Sequence, residues 1–342
     1  MLATSQQLPL IVKAGGSVLA PIDLRCSFRH RTCGAEHGME TCAETLEDRK
    51  LGRSVTVLFG AQAGKYPYGN SLLVEGAEEA LLIDPSLSVI PRQRSLPPVA
   101  RILNSHSHED HIAGNYLFLD VPWHLHELDV SNIHSLDNMM AMYGYLGEVN
   151  SAFRQVLVDE FHFTPRLDAL SFGDGEVFDL GGCRVRVIHT PGHTRGHCAF
   201  FIEPDDVLFL ADIDLSSFGP YYGDAWSSLD EFERTLQRVR EIEARWYVTF
   251  HHIGVLEGRA AFLERFDRFA AVIRKREERL LAFLNEPRTL DNIVRYRFIY
   301  RAEDPVSFAD AVERRSMAQH LELLLRDGRV TEVEPGRYVV RR

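Results

Sequence analysis

The stretch NSHSHEDHIAGN, residues 104–115, places three histidines and two acidic residues within six positions, from His106 to His111. Such a density of titratable side chains is unusual, because buried cores avoid charge and solvated surfaces are richer in Lys and Glu. The apolar stretch VARILNS, residues 99–105, comes directly before the histidines and predicts a β-strand. A polar cluster at the end of a strand indicates a functional loop on a rigid sheet.

Short apolar stretches separated by Gly, Asn and Pro extend on both sides of this segment and predict further strands. They are SVTVLFG (54–60), NSLLVEG (70–76), EALLIDPS (79–86), RVRVIHT (184–190), DVLFLAD (206–212) and RWYVTFH (245–251). The stretch SSLDEFERTLQRVREIEA, residues 227–244, begins with Ser and carries apolar residues at helical spacing, which predicts an amphipathic helix.

The histidine segment has the form H-x-H-x-D-H. Alternate positions in an extended loop project the same way, so His106 and His108 can reach one ion. Asp110 and His111 begin the following turn and can face a second ion. Neutral imidazole and carboxylate are the ligands of zinc sites that keep a position open for water. The segment therefore predicts a pair of metal sites.

Three later strand ends supply further candidate ligands. His193 lies in HTPGHTRGH (189–197), Asp212 lies in LFLADID (208–214), and His251 and His252 both follow the last predicted strand. Counted from His111 through His193 and Asp212 to His252, the intervals are 82, 19 and 40 residues. At this point either His251 or His252 can be the last ligand.

The ordered set of histidines and aspartates resembles the metallo-β-lactamase fold superfamily over roughly residues 55–258. The resemblance implies an α+β fold, an αββα sandwich with the metal site along one edge. In this family the last ligand usually precedes a segment similar to IGVLEG, here residues 253–258, which favours His252 over His251. The implied ligands are His106, His108 and His193 for the first metal, Asp110, His111 and His252 for the second, and Asp212 as the bridge.

The resemblance also implies a dinuclear metal-dependent hydrolase, in which a metal-bridged hydroxide attacks the carbonyl of a thioester, ester or lactone. Two zinc ions are expected, and iron and manganese bind similar ligand sets. Asp110 is expected to orient the nucleophile. In SFGPYYGDAW (217–226), the hydroxyl of Tyr221 or Tyr222 is a candidate oxyanion donor, and lining the pocket is the alternative role. Glyoxalase II-like thioesterases, lactonases and RNase Z-type nucleases carry the bridged set.

After Gly258 the predicted secondary structure is mainly helical. The helical patterns are followed by two predicted strands on either side of residues 334–336. Helix, helix and hairpin indicate a winged-helix-like module. A bridged catalytic domain with such a tail resembles the β-lactamase-like 2 proteins, which implies RNA cleavage as an alternative. A non-catalytic nucleic-acid-binding or regulatory protein is a second alternative, and the module is also a candidate homodimer interface. Because no expected ligand lies beyond His252, the residues after about Pro287 are not expected to be needed for turnover of small substrates.

We therefore predict an irregular N-terminal extension (1–53), a catalytic domain (54–258) and a C-terminal module (259–342). The module carries a net charge of +4 and the remainder −15. An acidic catalytic part is a poor surface for phosphate backbones, which favours a small-molecule substrate over RNA. No apolar run reaches the roughly 18 residues of a membrane span. With an odd count of five cysteines and no secretory signal, a cytoplasmic location is expected.

The N-terminal extension contains five residues of types that bind metals, namely Cys26, His30, Cys33, His37 and Cys42. Structural zinc sites usually pair cysteines two to four residues apart, and this spacing differs. We therefore expect an irregular extension here and not a zinc finger.

Overall fold

Two β-sheets that pack face to face form the centre of the protein. The computed structural model describes residues 46–304 and 306–341. The first sheet has the order β1 to β7, antiparallel from β1 to β4 and parallel from β4 to β7. Its strands are β1 (Arg49–Leu51), β2 (Val55–Leu58), β3 (Ser71–Glu75), β4 (Ala80–Ile83), β5 (Arg101–Leu103), β6 (Trp123–His126) and β7 (Leu170–Phe172).

The second sheet has the order β13-β12-β11-β10-β9-β8, and only β11 and β12 pair in parallel. Its strands are β8 (Val177–Asp179), β9 (Arg184–His189), β10 (Cys198–Glu203), β11 (Val207–Phe209), β12 (Trp246–Val248) and β13 (Val255–Glu257). Parallel pairing of β11 and β12 places their C-terminal ends side by side, which matters for the site described below.

Helices cover the sheets and form the C-terminal part of the chain. They are α1 (Ala61–Gly64), α2 (Glu109–Ile112), α3 (Leu136–Tyr143), α4 (Gly147–Asp159), α5 (Leu229–Arg240), α6 (Arg259–Phe283), α7 (Leu290–Tyr296) and α8 (Ala309–Arg326). Short 3-10 segments lie at Leu87–Ser95, Asn115–Phe118 and Val130–His134. The Ser228 side chain caps α5 by accepting from the Glu231 amide, as the sequence pattern predicts.

Strand β10 shows why the second sheet is apolar on both faces. Phe200 and Ile202 point into the core between the sheets. Ala199 and Phe201, at the alternate positions, pack in the core formed with α5 and α6. Successive side chains of a strand point to opposite faces, so a sheet covered on both sides needs continuous apolar strands. This arrangement confirms the predicted αββα sandwich.

The C-terminal part is built around α6. Phe262 and Phe266, in its first half, pack against the second sheet. Leu280, in its second half, belongs to a separate core with α7 and α8. Strands β14 (Arg288–Thr289), β15 (Val330–Glu334) and β16 (Arg337–Val340) form a three-stranded sheet in the order β14-β16-β15. The helices and hairpin lie where the sequence predicts them, and the winged helix itself stays a prediction.

Two features of the described residues differ from the predicted division of the chain. The first sheet already begins at β1, within the extension predicted to be irregular, because Arg49–Leu51 pairs with β2. The boundary at residue 259 coincides with the start of α6, a helix that belongs to both cores. The cysteine and histidine cluster of residues 26–42 lies outside the described residues. No helix in the described part of the chain has the length and apolarity to cross a membrane.

Asp205 links the two sheets by hydrogen bonds. It lies in the turn between β10 and β11, and its carboxylate accepts from the backbone N–H groups of Arg53 (2.8 Å) and Ser54 (2.6 Å), which precede β2. Gly52 lies directly against it with φ +66°, where an added Cβ would be 2.2 Å from Asp205 Oδ1. The contact therefore requires both the carboxylate and a glycine.

We predict that Asp205→Ala lowers the free energy of unfolding by about 1–3 kcal/mol, because two backbone donors lose their acceptor. Denaturant unfolding measures the change. Asp120→Ala, in an exposed loop, is the matched control and should stay within about 0.5 kcal/mol. Equal stabilities of the two variants would contradict the role assigned to Asp205.

Candidate metal centre

The candidate ligands converge at one edge of the sandwich. The loop 104–111 follows β5 in the first sheet, while His193, Asp212 and His251 follow β9, β11 and β12 in the second. Each ligand thus comes directly after, or within a few residues of, a strand whose position is set by the buried cores. This convergence brings together residues separated by up to 145 positions of the sequence.

Three histidines form the first group. His106 Nε2 lies 3.0 Å from His108 Nδ1, and His193 Nε2 lies 2.9 Å from that same Nδ1 atom. One carboxylate oxygen of Asp212, Oδ2, lies 3.1 Å from His193 Nε2. One ligand atom from each of these four residues falls within 4.8 Å of the others. The three histidines are buried, so the group is largely removed from bulk water.

Asp110, His111 and His251 form the second group. His251 Nε2 lies 3.0 Å from Asp110 Oδ2. The other oxygen of Asp212, Oδ1, lies 2.9 Å from His111 Nε2 and 3.9 Å from His251 Nε2. Asp212 therefore directs one oxygen to each group, which is the bridging position that the sequence predicts for it.

The geometry corrects the sequence-based preference for His252. His251 is buried and lies in the second group, whereas His252 is exposed and has φ +57°. The Nδ1 atom of His251 donates to the carbonyl oxygen of Gly64 (2.7 Å), and its Nε2 atom lies 3.0 Å from Asp110 Oδ2. The left-handed conformation at His252 turns the chain after His251, and the IGVLEG register therefore does not decide between the two histidines.

The donor atoms fit a pair of metal cations. In each of the five histidines, the ring nitrogen that points away from the centre donates to an acceptor. In a neutral ring, the other nitrogen therefore keeps a lone pair that points toward the centre. These acceptors are Ser105 Oγ for His106, Asp224 for His108, Asp84 for His111, the Tyr221 carbonyl for His193 and the Gly64 carbonyl for His251.

Three buried atoms of the centre lie within 3.0 Å of another ligand atom but make no aligned hydrogen bond. They are Asp110 Oδ2, His111 Nε2 and Asp212 Oδ1. Buried polar atoms are normally paired, and converging lone pairs repel one another unless a cation lies between them. Burial alone would raise the pKa of Asp212, but positive charge on the neighbouring His111 and His251 rings holds that pKa well below its ordinary value, so the carboxylate stays ionised.

Two aspartates outside the groups orient ligands. Asp84 follows β4; its Oδ2 accepts from His111 Nδ1 (2.8 Å) and from the Ser105 hydroxyl (2.6 Å). Asp224 Oδ2 accepts from His108 Nε2 (2.8 Å). Carboxylates behind metal-binding histidines fix the ring orientation and the tautomer. The sequence reading missed both, although Asp84 ends an apolar strand in the same manner as Asp212.

Asp129 joins the two ligand loops. Its Oδ2 accepts from the Thr194 hydroxyl (2.7 Å) and the Ser107 amide (3.3 Å), and its Oδ1 accepts from the Gly196 amide (2.8 Å). Gly196 lies so close that an added Cβ would be 2.7 Å from the Asp129 side chain. The fully buried Asp129 thereby holds the loop of His193 against the H-x-H-x-D-H loop.

Glu109, a variable position of the motif, is buried as well. It accepts from the hydroxyl of Tyr66 (2.8 Å) and in a short hydrogen bond from the hydroxyl of Tyr143. Burial raises its pKa, and the neighbouring Asp110 raises it further. Tyr143 also stacks on His108 with ring centroids 5.4 Å apart. Glu109 thus anchors the turn that carries Asp110.

The two candidate tyrosines point in different directions. Tyr221 lies beside the first group, with its ring centroid 5.7 Å from that of His193, and its hydroxyl donates to Asp224 Oδ1 (3.1 Å). The Tyr222 hydroxyl instead pairs with His320 Nε2 (2.8 Å) in α8. The prediction of Tyr222 as an oxyanion donor is therefore corrected, because its hydroxyl faces the C-terminal helix.

Comparison with protein families identifies a match to the metallo-beta-lactamase superfamily over residues 66–265. Among curated proteins, the chain is 28% identical over 199 residues to a hydroxyacylglutathione hydrolase of Methylococcus capsulatus, covering 55% of this chain and 65% of that protein. It is 23% identical over 206 residues to an atrochrysone carboxyl ACP thioesterase of Emericella nidulans, covering 60% of this chain and 55% of that one. The chain thus spans less than two thirds of either relative.

Among solved structures, a metallo-beta-lactamase family protein from Thermus thermophilus superposes with a TM-score of 0.63 at 26% identity. The similarity covers 84% of this chain and 99% of that one. A beta-lactamase domain protein from Burkholderia ambifaria also gives a TM-score of 0.63, at 17% identity, and covers 88% of this chain and 96% of that one. The second comparison supports the fold alone.

We predict that His251→Ala removes one bound metal ion per chain, whereas His252→Ala keeps the wild-type metal content. Only the His251 ring lies in the second group. Elemental analysis of the two purified variants measures the difference. Loss of an ion from His252→Ala alone would show that the exposed histidine is the ligand.

We predict that Asp212→Ala loses at least one ion and about 10²–10³ in turnover, since its carboxylate faces both groups. Asp214→Ala is the matched control. Its Oδ1 accepts from the Ser216 amide (3.0 Å), and burial raises its pKa to about 6. Metal content and turnover should be measured together, and ion loss confined to Asp214→Ala would reverse the assignment.

Proposed function

The chain belongs to the metallo-beta-lactamase superfamily of metallohydrolases, and we propose that it hydrolyses thioesters, esters or lactones with two zinc ions. The observation that carries this proposal is the pair of ligand groups joined by Asp212. Two divalent cations bound there would activate water near neutral pH and polarise a carbonyl group.

The protein's own groups supply orientation and proton transfer. The Asp110 carboxylate, buried in the second group, is proposed to orient the attacking water, to accept its proton and to return that proton to the leaving group. Asp110 Oδ2 lies 3.0 Å from His251 Nε2, so the carboxylate stays within the second group. The Tyr221 hydroxyl donates to Asp224 Oδ1 (3.1 Å), so it would have to release that carboxylate before it donated to a developing oxyanion.

The substrate class is proposed from the names of the relatives and from leaving-group chemistry. Both curated relatives named above carry the name of a thioester-cleaving enzyme. Thiolates and the alkoxides of activated esters and lactones need less protonation on departure than amines do. One buried carboxylate such as that of Asp110 is therefore sufficient as a proton carrier.

In the described part of the chain, one face of α8 in the C-terminal module packs on the catalytic part, which disfavours RNA cleavage. Helix α8 is the helix that a winged-helix fold would insert into nucleic acid. Its side chains Arg315, Gln319 and His320 instead contact the catalytic part at residues 222–229. The double ligand set likewise favours catalysis over a purely regulatory role, since structural zinc sites are closed by a single set of four ligands. The homodimer and the cytoplasmic location stay predictions.

We predict turnover of thioester, ester or lactone substrates by protein carrying two ions per chain, and its loss after chelation. A screen of these substrates beside a phosphodiester and RNA, on metal-quantified protein, is the test. Restoring zinc to the chelated protein should restore activity. Cleavage of RNA or phosphodiester without carbonyl hydrolysis would overturn the proposal.

A further inference from the structure

The irregular segment 218–224 orients two histidines of the first group. The Tyr221 carbonyl oxygen accepts from His193 Nδ1 (3.0 Å), and Asp224 Oδ2 accepts from His108 Nε2 (2.8 Å). The Tyr221 hydroxyl donates to the other oxygen of Asp224 (3.1 Å). The position of this segment therefore sets the directions of two ligand nitrogens.

A buried arginine of α6 holds the first half of the segment. Arg276 is 3% exposed and donates to the carbonyl oxygens of Phe218 (2.7 Å) and Pro220 (2.5 Å). The backbone between these carbonyls lies directly on the helix, because an added Cβ at Gly219 would be 2.4 Å from Val272 Cβ. A segment that belongs to no helix or sheet has no regular backbone hydrogen bonds, so its buried carbonyl oxygens need donors such as Arg276.

Helix α8 holds the second half. Gln319 Nε2 donates to the Tyr222 carbonyl (3.0 Å), while Gln319 Oε1 accepts from the Leu229 amide (2.6 Å) at the start of α5. Arg315 donates to the Gly223 carbonyl (3.2 Å). Here too the contact is close, since an added Cβ at Gly223 would be 2.3 Å from a side-chain carbon of α8.

The histidines of the second group are oriented from elsewhere. Asp84, after β4, accepts from His111, and the Gly64 carbonyl accepts from His251. Among the described residues, neither Asp84 nor the Gly64 carbonyl makes a hydrogen bond to α8. A disturbance of α8 should therefore affect one group and spare the other.

We propose that α8, together with Arg276, positions the first ligand group by holding segment 218–224, so that the C-terminal module is part of the metal centre's framework. This inference rests on the proposed dinuclear centre. Gln319, Arg315 and Arg276 are positioning residues, because they contact the segment and not the ligands. The module is then required for the first metal site, contrary to the expectation from the sequence.

The test measures Co²⁺ affinity in full-length, metal-free protein by competition with a chromophoric chelator. Each test substitution is added to two parent variants, called backgrounds, in which only one ligand group is intact. The His251→Ala background keeps the first group, and the His193→Ala background keeps the second group. Gln319→Glu keeps the acceptor for the Leu229 amide and removes the donor to the Tyr222 carbonyl. We expect it to weaken Co²⁺ binding about 10-fold in the first background and not in the second.

Glu322→Ala, at an exposed position of α8, is the control and should change neither affinity. Tyr222→Phe removes the hydroxyl contacts with His320 and Arg276 and replaces Gln319→Glu if that variant does not fold. Equal weakening in both backgrounds, or no weakening, would overturn the inference alone. Failure of both backgrounds and of the wild-type chain to bind Co²⁺ would overturn the proposed centre and the inference with it.

Discussion

A single carboxylate joins the two halves of the metal centre. Asp212, in the loop that follows β11, directs Oδ2 to His193 and Oδ1 to His111, so one side chain faces both ligand groups. Its backbone amide donates to His197 Nε2 (3.2 Å), a buried ring whose pKa burial lowers well below its ordinary value. A neutral His197 can therefore act as the acceptor that fixes the backbone of Asp212.

The rest of the fold brings ligands to Asp212 in defined orientations. The core between the sheets sets the positions of β5, β9, β11 and β12, whose ends supply the ligands. Helix α6 connects this framework to the C-terminal part, because Phe262 packs on the second sheet and Leu280 packs in the C-terminal core. Between them, Arg276 holds the segment that orients two histidines of the first group. Rigid support of this kind matters because small displacements of catalytic groups strongly reduce rates.

The sequence by itself determined the αββα sandwich, the C-terminal helices and hairpin, and six of the seven clustered side chains. The elements follow from local information, namely apolar strands separated by Gly and Pro and helical spacing, whereas the sandwich and the ligand set follow from the family resemblance that the ordered histidine and aspartate motifs carry. It favoured His252, whereas His251 lies in the second group, because both residues follow β12 and only the left-handed backbone at His252 separates them.

Only the tertiary structure decided the partners of the ligands. Asp84, Asp129 and Asp224 acquire their roles through contacts with residues far away in the sequence, for which the sequence contains no local pattern. Tyr221 and Tyr222 are adjacent and chemically identical, yet one contacts the first group and the other contacts α8. Local pattern predicts which elements form, whereas the packing of distant elements decides which side chains meet.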